Sequence, residues 1–305
     1  MFVVPGSWEL ASLVCKLLLY FGAASIAGGS LCLGLYSDGH RQSVYTLLVY
    51  IMVGAMLGFQ AVLANFFIQV GLVNDGGLAA MFDWNMASLL LDTQLGDVTF
   101  FRLAGFVAVI LSSGFFLRKA RQLNQAPGRT FYRSVLILHG AALLAVAFSF
   151  TLAGHVSVLS ITARVAIILH FSAFACWIGS LFPLLLLTRS ADLEFMQWAM
   201  RRFGNNAMAI VLVLTVAGVL MLIEVIASPG ELVTTAYGLS LLLKLVLVLT
   251  IVGIAGLNKL LLVPAISSES SGAKLGKSIR VESVVATLIL LLTAYSSTII
   301  GPAGH

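Results

Sequence analysis

The chain has 305 residues, 60% of them apolar and 10% charged, with a formal net charge of +5. A soluble domain carries about 25% charged residues to cover its surface, so this composition excludes one and reads as an all-α, polytopic membrane protein. The basic residues sit at the ends of apolar runs, which bears on loop placement in a lipid bilayer and gives no reason to expect nucleic acid as a partner.

Eight apolar runs follow one another as a single membrane domain over 1–305: Trp8–Tyr36, Ser43–Val70, Val98–Leu117, Tyr132–Leu152, Val165–Leu187, Phe203–Ala227, Tyr237–Leu262 and Val281–Ile300. A helix of about 20 residues crosses about 30 Å of hydrocarbon, and each run reaches that length. The first run has no Lys or Arg before Trp8 and is longer than a signal peptide, so it is expected to stay in the protein. Cys15, Cys32 and Cys176 all lie in runs and form no CxxC, which argues against a disulfide framework or a zinc site. The stretch SSESSGAK at Ser267–Lys274 reads as a short linker.

The connections differ in charge. Arg41 lies in the first, Arg118, Lys119, Arg121, Arg129 and Arg133 in the third, Arg189, Arg201 and Arg202 in the fifth, and Lys259, Lys274, Lys277 and Arg280 in the seventh. The even-numbered ones carry Asp75, Asp83, Asp92, Asp97 and Glu231. Positive loops stay cytoplasmic, so both termini are expected outside the cytoplasm. The second connection, Gly71–Asp97, is then an external segment whose MFDWNMASLLLDTQLG portion can form an amphipathic helix anchored by Trp84. Met81 and Met86 in it are open to two readings, a soft-metal site and plain packing.

The stretch Thr151–Leu187 organises the rest. It places His170 within a run of apolar residues, about 9 Å below the outer end. Phe174 and Trp177 follow at i+4 and i+7 on the same face. A polar imidazole at that depth requires a partner, a cavity or a ligand. The expected topology brings His155, Glu224, Met221, Tyr237, Lys244, Lys16 and Arg102 toward the same outer half, while the inner half holds little beyond His139, Cys32 and Glu282. Structural readings stand beside the functional ones. His155 can be a solvated loop residue, Trp177 and Cys176 packing residues, and Lys244 with Glu224 an ion pair that fixes two helices. Lys16, Lys244 and Arg102 need Glu224, helix ends or an anionic group as partners. Imidazole and thioether donors together suit copper, Cu(I) above all.

Several stretches resemble the copper resistance protein D (CopD) family of bacterial inner-membrane proteins: AGHVSV at Ala153–Val158, LHFSAFACWIGSLFPL at Leu169–Leu184, LTVAG at Leu214–Gly218, AYGLSLLLKLVLV at Ala236–Val248, GLNKLLLVPA at Gly256–Ala265, and Val281-Glu282. LLLDTQLGDVTFFRL resembles the family's segment before the third run. The resemblance implies eight spans, a multi-pass protein of the bacterial inner membrane, copper uptake from the periplasm, and a periplasmic copper carrier of CopC type acting in trans. It implies roles for His155, His170, Trp177, Tyr237, Lys244, Asn258 and Glu282. Gly179-Ser180 stands where the family commonly has Gly-Gly, a departure expected to touch packing more than chemistry.

The leading expectation is a copper permease, not an enzyme, with His155, His170 and Met221 as metal ligands and movement about Pro183 opening the inward path. No P-loop or intramembrane CPx motif is present. Its rival is a haem-binding membrane protein of redox or assembly type, with the same histidines as axial ligands of haem b and the cations on its propionates. A third reading is a scaffold whose histidines only pack.

Overall fold

The computed structural model describes residues 4–74, 77–122, 125–190, 192–226 and 228–300, with the side chains of 155 and 156 left out. Among the described residues there are helices and turns and no strand. Ten α-helices occur in chain order. They are α1 Ser7–Tyr36, α2 Arg41–Asn74, α3 Trp84–Leu91, α4 Gln94–Gln122, α5 Arg129–Phe148, α6 Ile161–Leu187, α7 Leu193–Val225, α8 Glu231–Thr234, α9 Ala236–Leu257 and α10 Glu269–Tyr295. Among the described residues eight helical segments are long and apolar enough to cross a membrane, in agreement with the eight runs. The protein is a multi-pass membrane protein.

Two helices start ten or more residues before their apolar runs. α7 begins at Leu193, where the Asp192 carboxylate accepts from the Phe195 N–H. α10 begins at Glu269 and absorbs most of SSESSGAK, which is therefore helix and not linker. The reason is a reciprocal cap: the Ser268 hydroxyl accepts from the Ser271 N–H, and the Ser271 hydroxyl accepts from the Ser268 N–H. Polar turns continue a helix past the apolar run once its first N–H groups find acceptors.

The second connection forms a 3₁₀ turn, Leu78–Phe82, then α3. Asp83 caps α3 by accepting from the N–H groups of Asn85 and Met86. The Met86 N–H, and after it the Asn74 amide, hold the Asp83 carboxyl below its usual range. Trp84 is exposed, as an interfacial anchor requires. Met81 packs beside Trp8 and Cys15, while Met86 packs beside Phe66 and Val70. The two thioethers thus belong to separate apolar clusters.

α1 is the hub. It packs against α2, α5, α6, α7 and α10. One apolar core gathers Leu48, Phe106, Val109 and Val146 around the first half of α1. A second gathers Tyr36, Met196, Ile251, Leu275 and Ile279 around its other end, with Trp177 and Leu181 of α6. Where α1 crosses α6, Gly28 and Gly179 face one another so closely that a Cβ on either would run into the opposite backbone. Small residues at such crossings let helices approach through van der Waals contact where lipid gives no hydrophobic drive. The Tyr50 hydroxyl donates to the buried Gly179 carbonyl at 3.0 Å, tying α2 to the seam. Ser180 is fully buried there and donates to the Cys176 carbonyl at 2.7 Å. A hydroxymethyl group is thus tolerated at 180 but not at 179.

α7 rests chiefly on α6. Past Phe203 its one buried side among the described residues is Ala217. α9 buries Gly238, Ser240 and Ile251 and no others in its own length.

Candidate functional site

α6 carries the site. Ser160 caps its first turn, and from there His170 and Trp177 fall seven residues apart on one face. That spacing is about 10 Å along the axis.

His170 reaches α7. Its Nδ1 lies 3.0 Å from the Leu214 carbonyl oxygen. A carbonyl only accepts, so Nδ1 carries the proton and Nε2 keeps its lone pair. The approach depends on Gly218, where an added Cβ would sit 3.2 Å from the imidazole Cε1 and 3.4 Å from Nδ1. The LTVAG motif therefore contributes its two ends, a carbonyl and a gap. Met221 follows Leu214 and Gly218 at helical spacing, on the α7 face that meets His170. Lys244, in α9, is near enough to act electrostatically on His170. Tyr237 lies in the first turn of the same helix, half-buried.

Glu224 is exposed at the end of α7 and accepts from the Ser160 hydroxyl at 2.5 Å. The expected Lys244–Glu224 pair is therefore replaced by a tie between the α7 end and the α6 cap. An exposed carboxylate gains from a cap hydroxyl without holding a long Lys side chain in place.

Lys16 and Arg102 find helix ends. The Lys16 ammonium donates to the Ser297 carbonyl at 3.2 Å, the Ser297 hydroxyl at 3.0 Å and the Thr298 hydroxyl at 3.1 Å. These lie in a π-helical turn, Ser296–Ile300, that ends the last span, where the helix dipole presents negative charge. Arg102 donates from Nε to the Ser149 hydroxyl at 2.9 Å, and its guanidinium lies 4.6 Å from the Phe150 ring centre. Tyr20, Phe150, Phe171 and Phe174 cluster beside it. Both cations thus have acceptors at the C-terminal ends of spans, with no propionate needed to explain them.

Two turns deeper, Trp177 meets Asn258 and Glu282. Trp177 donates from Nε1 to one Glu282 oxygen at 3.1 Å, and Asn258 donates from Nδ2 to the other at 3.0 Å. All three are buried, at 3%, 8% and 4% exposure. Asn258 opens a π-helical turn, Asn258–Leu262, at the end of α9.

The remaining histidines lie elsewhere. His155 belongs to a short 3₁₀ helix, His155–Val158, entered through Gly154 at φ 70°, and its side chain lies outside the described residues. His139 is a structural pin. Ser30 bonds its Nδ1 at 2.7 Å and Ser113 its Nε2 at 3.3 Å, from two different helices. His139→Ala should lower the detergent unfolding midpoint by the equivalent of about 2–4 kcal/mol. An unchanged midpoint would reverse that assignment.

Among the described residues no three His, Cys, Asp or Glu side chains come together as a metal cage. What the arrangement leaves at this point is one imidazole nitrogen, Nε2 of His170, its other nitrogen being held by the Leu214 carbonyl. No curated protein and no solved structure matches the chain. Residues 197–295, about a third of the chain, hold Leu214, Gly218, Met221, Lys244, Asn258 and Glu282 and match the family model CopD, Copper resistance protein D. His170 and Trp177 precede the matched segment and bond directly into it. The match supports the copper resistance protein D family for this protein.

Proposed function

We propose that the protein is a copper permease of a bacterial inner membrane, and not an enzyme. The observation that carries the reading is the fixed tautomer of His170, whose Nδ1 is spent on Leu214 and whose Nε2 lone pair is left for a ligand. Met221 supplies the second soft donor from α7. His155 receives the ion near the outer surface, from a periplasmic carrier of CopC type acting in trans, and hands it to His170. Both chain termini lie on the extracytoplasmic side, so the His170 end of α6 faces the source of copper and uptake runs inward. Lys16, Arg102, Lys244, Tyr237 and Glu224 hold the helix ends around the site.

The test is metal content and the absorption spectrum of detergent-purified protein, wild type beside His170→Ala. About one copper per chain is expected, falling about tenfold or more in the variant, with no Soret band. Iron with a Soret band would overturn the permease and make the same histidines haem ligands. Copper retained in full by His170→Ala would remove His170 from the site.

A further inference from the structure

A carboxylate deep in a membrane bundle normally pairs with a cation or stays protonated. Among the described residues Glu282 is bonded by neither a cation nor a hydroxyl. Its two oxygens accept from neutral N–H groups, Trp177 Nε1 and Asn258 Nδ2. It lies about 20 Å along α10 from the helix start, and Trp177 about 15 Å from the α6 C-terminus, which puts the group well inside the bundle. Lys259 reaches the Met208 sulfur, Arg280 the Gly276 carbonyl, and Lys244 acts on His170. The Tyr36 hydroxyl accepts from Asn206, and the Cys32 and Cys176 thiols are neutral neighbours along the α1–α6 seam.

The second observation is an orphan. Asn258 Oδ1 is buried with no hydrogen-bond partner among the described residues. Buried acceptors are nearly always satisfied, and an unsatisfied one next to a carboxylate marks an incomplete state of the site. An amide offers N–H on one side and oxygen on the other. As it stands, Asn258 gives its N–H to a Glu282 oxygen, the arrangement that suits an ionised carboxylate. Turned over, it gives Oδ1 to the O–H of a protonated one. The same residue thus serves both charge states, and it sits on a π turn, the kind of local unwinding that marks functional hinges. A hard metal cation takes six or more oxygens, far more than this group supplies. A proton needs one.

We propose that Glu282 is the proton-carrying carboxyl of this protein, with Asn258 and Trp177 as its positioning residues. One proton from the aqueous phase on one side forms an O–H bond at Oε2, neutralising the carboxylate. The bond breaks toward the other side, and no electrons move. The coupling of this proton to copper rests on the permease reading, with His170 two turns away on the same face of α6.

Two measurements test it. Infrared difference spectra of the purified protein across pH should show a protonated-carboxyl band that Glu282→Gln removes. If no band is lost, Glu282 does not exchange a proton and the proposal falls, whatever copper does. In proteoliposomes with wild-type protein, copper entry should move protons, and an imposed pH gradient should drive copper accumulation. Glu282→Gln should keep copper exchange at equal pH within about twofold and lose gradient-driven accumulation at least tenfold. Accumulation unchanged in the variant would overturn the coupling. A wild type that titrates in the infrared yet moves no copper would sink the permease reading and leave the proton site standing.

Discussion

Gly179→Ala should yield little folded protein. The added methyl would run into the Ala24 carbonyl and the backbone beside Gly28, and backbone atoms of two packed helices cannot swing aside as a side-chain end can. The α1–α6 seam must open to admit it. Because α1 packs against five other helices, the opening disturbs both apolar cores, not one contact. Overpacking a core costs about 1–3 kcal/mol where side chains can adjust, and the cost should lie at or above the top of that range here. The Tyr50 bond to the Gly179 carbonyl would be strained in the same step. Gly140→Ala is the control. A Cβ there meets nothing within 4 Å, and a helical glycine replaced by alanine gains up to about 1 kcal/mol. Size-exclusion profile and unfolding midpoint in detergent give the readout. Equal midpoints for the two variants would mean the crossing has room that the geometry denies.

Trp177→Phe should cost nearly as much through a different cause. The ring keeps most of its volume, so packing beside Leu181 and Ile289 largely survives. What goes is the N–H to Glu282, at a site where both groups are buried. Hydrogen bonds to charged groups contribute about 1.5–3 kcal/mol, and a buried carboxylate left short of a donor loses that amount. Glu282→Gln should cancel most of it, because a neutral amide tolerates the missing donor. A double-mutant cycle on unfolding midpoints measures this directly. Additive effects would show that Trp177 acts by packing alone.

The eight spans were legible because apolar runs of that length have one meaning in a chain so poor in charge. Their edges were less so. Glu269 and Ser271 look like linker residues until Ser268 is seen to cap them, and capping depends on backbone direction that composition does not carry. The site was half legible. His170, Trp177, Asn258 and Glu282 each stood out, by depth or by motif. That Trp177, Asn258 and Glu282 converge is a fact of packing across three helices. The partner of His170 had no side chain to betray it, since it is the Leu214 carbonyl. Gly218 was the signal, a residue whose value lies in the atom it lacks. His139 looked anomalous because its partners, Ser30 and Ser113, are among the least conspicuous residues in a sequence. Lys244 and Glu224 were of opposite sign and similar depth, yet the cap hydroxyl of Ser160 was closer to Glu224 than any cation.

α7 contributes Leu214, Gly218 and Met221 to the His170 site, yet it leans on a single neighbour for most of its length. At 33 residues it is about 50 Å long, against about 30 Å of hydrocarbon. Leu212, Val216, Val219 and Ile223 turn outward and are exposed among the described residues. Acyl chains therefore form the other wall that keeps this helix upright against the imidazole. Bilayer thickness and lateral pressure then become part of the site's geometry, set by the host membrane and not by any residue of the protein.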